Sequence, residues 1–89
     1  MRVPLVAIRD AKLQAFQSLT TVPTIEAALR GFADAVANEG AGDLHRHPED
    51  FGLFKVGEFD TVTGLVEGVQ PVQVASGVEF AGLKLAKES

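Results

Sequence analysis

The chain has 89 residues, no cysteine and a formal net charge of −4, so we expect one domain without disulfides or thiolate metal sites. A domain this small buries a modest core, and no apolar run approaches the roughly 18 residues of a membrane span. Dedicated nucleic-acid-binding proteins usually carry a clear basic excess, which this composition lacks.

The N-terminal residues predict a strand over Val3–Ile8. Both faces of this segment are apolar, so we expect a strand that is covered on both sides. Pro4 cannot donate a hydrogen bond to a neighbouring strand and should lie near the strand's start. The segment begins like a signal peptide, but Arg9 and Asp10 end the apolar run and no cleavage site follows. We therefore expect a soluble, intracellular protein.

A second, less regular strand or an extended connection is predicted over Leu13–Val22, because this segment is rich in β-branched residues. An amphipathic helix is predicted from Thr24 to Asn38. Thr24 is a suitable N-cap, and Glu26 lies in the first turn, where the helix dipole favours an anion. The residues expected on the buried stripe of this helix are Ile25, Leu29, Phe32 and Val36.

A polar loop is predicted over 40–46, followed by a structured turn. Pro48 restrains His47 to an extended conformation and can begin a helical turn, so Pro48–Asp50 is predicted as one 3₁₀ turn. The next segment, Gly52–Phe59, predicts a strand.

The segment after this strand predicts a β-hairpin. Asp60–Gly64 is interpreted as its loop, with Gly64 at positive φ, and Leu65–Val69 as its returning strand. The residues that follow alternate with period two, but Pro71 indicates an edge or bulged segment.

Together these elements predict an α+β domain, with one principal helix packed on a small, mostly antiparallel sheet and a C-terminal β-hairpin. We expect this domain to span residues 1–82 and residues 83–89 to form a loosely ordered tail.

Charge is unevenly distributed along the chain. Residues 1–30 hold four cations and two anions, a net charge of +2, whereas residues 31–69 hold two cations and eight anions, a net charge of −6. Any contact with DNA phosphates would therefore use the N-terminal third. The candidate phosphate contacts are Arg2, Arg9, Lys12 and Arg30. Arg30 can equally be an exposed helix position whose stem covers apolar surface.

The phenylalanines of the hairpin region have two interpretations. Phe51, Phe54 and Phe59 are first of all candidates for the core, and an exposed phenylalanine could instead stack on bases of a single strand.

The sequence contains no constellation typical of an enzyme. Serines lie outside any nucleophile elbow, and no Gly-rich phosphate loop is present. His45 and His47 stand near Glu49 and Asp50, but the chain has no cysteine and no third histidine to complete a metal site. We therefore predict a non-enzymatic protein with no metal and no cofactor, in which these residues cap turns or face solvent.

Oligomerisation is expected on grounds of size. A chain of 89 residues that is 46% hydrophobic has little room for its apolar side chains in one core. The first strand is apolar on both faces, and the Pro71 segment offers an edge. We predict a homo-oligomer, most simply a dimer.

The segment from residue 47 to residue 64 has a distinctive pattern, with His-Pro-Glu-Asp followed by an aromatic residue, a Leu, a Gly, Phe-Asp and a closing Gly. The helix adds an Arg-x-Phe step before an acidic residue, here Arg30, Phe32 and Asp34. In these features the chain resembles the small nonstructural protein of gokushoviruses, a microvirus subfamily of single-stranded DNA phages. The likeness spans most of residues 3–69 and weakens over 77–89. The matching residues of the pattern are His47, Pro48, Glu49, Asp50, Phe51, Leu53, Gly57, Phe59, Asp60 and Gly64.

The resemblance implies a biological setting more than a chemistry. It implies a protein absent from the finished virion, acting in the host cytoplasm and assisting the switch from genome replication to packaging of single-stranded DNA. No catalytic residues carry over, and the matched residues are implied to be fold determinants. Two functions remain open: an accessory protein that binds single-stranded DNA or the replication and packaging complex, and a dimeric module that acts on a phage or host protein without touching nucleic acid.

Overall fold

A four-stranded β-sheet with helices packed on one face forms the body of the computed structural model, which describes residues 1–80. The expected domain end at residue 82 and the expected tail over 83–89 lie outside these residues. The longer elements are β1 (Arg2–Asp10), β2 (Ala15–Thr21), α1 (Ile25–Ala37), α2 (Asp43–Arg46), β3 (Phe51–Asp60) and β4 (Val66–Ser76), and Glu39–Ala41 and Pro48–Asp50 are 3₁₀ turns.

The strands lie in the order β2-β1-β3-β4, and each neighbouring pair is antiparallel. Two hairpins therefore make the sheet, β1–β2 and β3–β4, and the two strands at its centre pair with each other. This arrangement confirms the α+β class, the antiparallel sheet and the hairpin predicted after the helical region. Within residues 1–80, α1 is the one helix longer than four residues, as predicted.

Helix α1 begins and ends where the sequence predicts. The Thr24 hydroxyl accepts a hydrogen bond from the Ala27 amide at 3.1 Å, which satisfies one of the free donors of the first turn. Asn38 ends the helix in an extended conformation. The residues that cap the start and end of α1 are thus local signals, and tertiary packing does not change where the helix begins and ends.

The buried stripe of α1 is rotated slightly from the predicted one. Phe32 and Val36 are buried as expected, and Val36 is fully enclosed. Ile25 and Leu29 are only half-buried at the margin of the core, and Ala28 is buried in their place.

The prediction of a polar loop over 40–46 was wrong, because the segment forms a 3₁₀ turn and the short helix α2. Leu44 packs against the core, and the Nδ1 atom of His45 lies 2.8 Å from the Val36 carbonyl oxygen. Arg46 forms an ion pair with Asp43 at 2.7 Å, which lowers the pKa of that carboxyl group. One half-buried leucine among polar residues is too weak a pattern to reveal a single helical turn.

Strand β1 is longer than predicted and is covered by helix on one side only. Val6 and Ile8 face the core beneath α1. On the other side Leu5 and Ala7 are buried, at 8% and 4% exposure, yet they are not part of the cluster that packs on the helix. Residues on both faces of β1 are thus buried, as expected, although α1 packs against one face only. Pro4 lies beyond the last residue that β2 pairs with, near the strand's start as predicted.

The loop between β3 and β4 has the predicted geometry. Gly64 has a φ of 78°, and its amide donates to the Asp60 carbonyl oxygen at 2.8 Å. The Asp60 carboxylate accepts hydrogen bonds from the amides of Val62 and Thr63, at 2.8 and 3.2 Å. These bonds favour the ionised form and lower the pKa of Asp60.

Strand β4 is the edge strand that Pro71 predicts. Its register with β3 jumps between Gly57↔Gly68 and Lys55↔Val72, so three residues of β4 bulge out opposite one of β3, and Pro71 is among them. At Gly57 a side chain would collide with the Glu67 carbonyl, because the two strands approach closely there. Gly57 is thus a fold determinant, as the family pattern implies.

Candidate nucleic-acid interface on the open face of the sheet

The two faces of the sheet differ sharply in what lies against them. Side chains alternate along each strand, so Val6 and Ile8 of β1 face α1 while the residues between them face away. We call the face turned away from α1 the open face. Its members, placed by this alternation and by the strand register, are Val3, Leu5, Ala7, Arg9, Phe16, Thr21, Gly52, Phe54, Gly57, Phe59, Val66, Gly68, Gln73 and Ser76.

Two phenylalanines meet on the open face across three strands. Ala7 of β1 pairs with Phe54 of β3, and Arg9 pairs with Phe16 of β2. This register brings the rings of Phe16 and Phe54 together edge to face, with centroids 5.3 Å apart and planes at 86°. Phe16 is 44% exposed, so its ring is available to a ligand. Exposed aromatic rings on a sheet are the surfaces on which unpaired bases stack.

A shallow cavity of about 150 Å³ lies beside Phe54. Arg9, Phe54 and Gln73 line it. Gly52 also lines it, and a side chain at this position would collide with the side-chain amide of Gln73. The Gln73 amide nitrogen donates to the Ala75 carbonyl oxygen at 3.2 Å, which fixes its orientation. The cavity therefore presents a guanidinium and a held amide next to an aromatic ring, groups that suit the polar edge of a base. Carboxylates also reach its rim, from Glu49 and Asp50.

Charge divides between the two faces of the sheet. Arg9 is the one charged residue among the open-face positions of the described strands. Three acidic residues lie where β3 and β4 approach their connecting loop, and the strand register places them on the helix side instead. They are Glu58, Asp60 and Glu67. The net negative charge of the chain is therefore not located on the open face.

The structure separates the four predicted phosphate contacts. Arg2 forms an ion pair with Glu67 on the helix side of the sheet. Arg30 is exposed on α1, also on that side. Arg9 lies on the open face, and Lys12 is exposed in the turn that follows β1. Arg9 and Lys12 therefore belong to one end of the molecule, whereas Arg2 and Arg30 do not join them.

The family-pattern residues build the entry to β3. Pro48 is buried and begins the 3₁₀ turn, and the Asp50 carbonyl oxygen accepts a hydrogen bond from the Ala11 amide at 2.8 Å. Phe51 belongs to the core. His47 and Glu49 are exposed, with an imidazole-to-carboxylate distance of 3.7 Å. At the far end of β3, Phe59 is half-buried on the open face.

Sequence reasoning missed Phe16 and Gln73 as parts of this surface. Both lie in segments whose alternation is visible, but their partners come from other strands. Phe16 could have been found by pairing the alternating strand that contains it with the Val3–Arg9 strand. The length of the turn between these strands does not determine which residues lie opposite each other, so the sequence alone did not give this register.

Other kinds of site find little support in the part of the chain that the structure describes. Within residues 1–80 there is no group of three or more His, Cys, Asp or Glu residues that could hold a metal ion. Nor does any helix there have the length and apolar character needed to cross a membrane.

A four-stranded antiparallel sheet that carries helices on one face and exposes aromatic residues on the other defines a small α+β protein with a surface suited to binding. The family model of the phage ORF5 protein matches residues 3–80, and the chain belongs to that family. It is also similar to Protein ORF5 of Chlamydia phage 1, with 38% identity over 61 residues, which cover 65% of this chain and 64% of the relative. Chlamydia phage 1 is a gokushovirus, so these findings confirm the resemblance drawn from the sequence.

The chain thus spans a little under two thirds of the relative's length. No solved structure matches the chain.

Proposed function

We propose that this nonstructural phage protein is a non-enzymatic accessory factor that assists the switch from genome replication to packaging of single-stranded DNA, and that it contacts the DNA through the open face of its sheet. The observation that carries the proposal is the Phe16–Phe54 ring pair beside Arg9, with Phe16 44% exposed, on the face of the sheet where the register places no carboxylate of the described strands. Membership in a family of phages with single-stranded DNA genomes supplies the setting.

The contact would combine stacking with one or two phosphate contacts. Stacking of a base on an aromatic side chain contributes about 1–3 kcal/mol and tolerates any sequence, since every base has a π-face. Arg9 and Lys12 supply the cations at the same end of the molecule. Duplex DNA hides the faces of its bases, so this surface favours single strands over duplexes.

The protein's net charge of −4 limits how much electrostatics contributes. With two cations in play, binding should weaken with salt at a logarithmic slope of about 1.4, from about 0.7 per phosphate on single strands. A groove lined by many basic residues would give a much steeper dependence of affinity on salt. Affinity therefore rests mainly on the aromatic surface.

A titration of a fluorescently labelled 20-nucleotide strand with purified protein tests the proposal. Binding is expected at ~20 mM salt, where screening is weak, with a shallow salt dependence and weaker binding to a duplex of the same length. No change of anisotropy at this ionic strength would refute the DNA contact.

A second candidate uses the same surface differently, as the dimer interface of a protein-interaction module without nucleic-acid contact. The observation that favours it is the apolar character of the open face along the whole sheet, from Val3 and Phe59 to Phe54. The molecule measures 47 × 24 × 19 Å.

A further inference from the structure

A groove runs along the inner side of β2, on the opposite side of the sheet from the open face. Its first part is an apolar cavity of about 260 Å³ between α1 and β2. Val6 and Ile8 form its floor, and Gly31 of α1 leaves its wall open, since nothing lies within 4 Å of where a side chain would begin. The helix therefore covers the centre of the sheet and leaves the sheet's β2 margin uncovered.

The groove continues past Ser18 into a second cavity of about 360 Å³. Ile8 and Ser18 line both cavities, so the two adjoin along the strand. Leu13 lines the second cavity only. Strand β2 has seven residues, and at about 3.3 Å per residue its edge can pair with an extended segment of similar length.

Strand β2 also has a free edge. It is the terminal strand of the described sheet, so the outward backbone groups of Ala15–Thr21 have no neighbouring strand. The opposite edge strand, β4, carries Pro71 within its bulge, whereas β2 contains neither proline nor a charged residue and is interrupted by one bulge near Ser18, whose φ is 59°. A free edge beside an apolar groove is the arrangement in which extended peptides add a strand and insert alternate side chains.

The electrostatics of the groove indicates the chemistry of such a peptide. The residues that line its second part include the carboxylates Asp10 and Asp43 and no cation. The Asp10 carboxylate accepts hydrogen bonds from the amides of Lys12 and Leu13, at 2.9 and 3.3 Å, and forms no ion pair with a lysine or arginine among residues 1–80. Asp43 is already paired with Arg46. A basic side chain therefore complements the end of the groove that holds Asp10 and Asp43. Aliphatic side chains complement the end between α1 and β2.

We propose that this groove binds an extended segment of another protein, which adds as a strand to β2, places aliphatic side chains between β2 and α1, and places a basic side chain beside Asp10 and Asp43. The cavities that receive the side chains lie on the other side of the sheet from the DNA contact, and neither Phe16 nor Arg9 lines them. The added strand meets the DNA-contact surface only at the backbone of β2, which includes Phe16.

The probe is an acetylated nine-residue peptide of alternating valine and threonine with two lysines at one end, made in both orders because the added strand can run either way. Fluorescence anisotropy should detect binding of one order or both. Replacing the lysines by glutamates should weaken binding by about tenfold, and methylating the backbone nitrogens on one edge of the peptide should abolish it.

Two matched leucine variants locate the site. Gly31→Leu fills the groove from a position that has space for a side chain, and should weaken peptide binding about tenfold or more. Arg30→Leu places the same side chain one residue away, at an exposed helix position outside the cavity lining, and should leave affinity within about threefold. Circular dichroism of both variants checks that each is folded.

The proposal is overturned if neither peptide order binds the wild-type protein, or if Gly31→Leu binds as well as Arg30→Leu. It is also overturned if Gly31→Leu converts a self-associated protein into monomers, because a second copy of this chain would then be the occupant. Loss of DNA binding leaves these readouts unchanged, so the two proposals fail separately.

Discussion

The rings of Phe16 and Phe54 meet edge to face at a centroid distance of 5.3 Å, although 38 positions separate them in the chain and they lie on strands that are not neighbours. The contact bridges over β1, where small Ala7 leaves room between the two rings. A face with two aromatic rings and one arginine is thereby assembled from three strands. This relationship underlies both proposed uses of the open face.

Core truncations should rank by burial. Phe32 is buried at the centre of the core and Leu29 is only half-buried, so Phe32→Ala should reduce the free energy of unfolding by about 3–5 kcal/mol and Leu29→Ala by about 2. Urea denaturation of the two variants gives both values. A larger loss for Leu29→Ala than for Phe32→Ala would contradict the position of the helix stripe.

The Gly64→Val variant should be strongly destabilised, because a β-branched residue is strained at a φ of 78°. We expect a loss of about 1–3 kcal/mol, measured from thermal or urea unfolding. Val62→Thr in the same loop is a suitable control, since Val62 is exposed and donates only its backbone amide. Equal stability of the two variants would show that the loop relaxes around Gly64.

Asp60 should contribute to the pH dependence of stability. Its pKa is lowered by the amides of Val62 and Thr63, so its contribution is present above the ordinary aspartate pKa of about 3.9 and is lost as pH falls through the lowered value. Asp60→Asn should therefore flatten the decline of the urea midpoint below about pH 4. A decline as steep as that of the wild type would assign the acid sensitivity elsewhere.

Dimerisation through the open face can be tested at the end distant from Arg9. Phe59→Asp places a charge on this face and should convert a dimer into monomers, whereas Glu58→Gln, on the helix side, should not. Light scattering at micromolar concentration measures both. A monomer mass for the wild-type protein would remove the dimer and with it the second candidate function.

Sequence patterns predicted the elements whose signals are local. The Thr24 cap, the Gly64 turn and the edge character imposed by Pro71 each depend on a few neighbouring residues, and all three are confirmed. The short helix α2 was missed because it depends on a single half-buried leucine, Leu44. The open face was missed because it depends on the order and register of strands distant in sequence. Grouping Arg30 with Arg9 by charge failed for the same reason, since position in the chain does not reveal the side of the sheet.

The most direct test of the DNA contact compares two charge reversals. Arg9→Glu and Arg30→Glu change the net charge equally, but Arg9 lies on the open face and Arg30 lies on the far side of the sheet. With a labelled 20-nucleotide strand at ~20 mM salt, a low-screening condition, Arg9→Glu should lower affinity by about tenfold or more, and Arg30→Glu should lower it by less than about threefold. Equal losses from both reversals, or none from Arg9→Glu, would contradict the assignment of the open face as the DNA-binding surface.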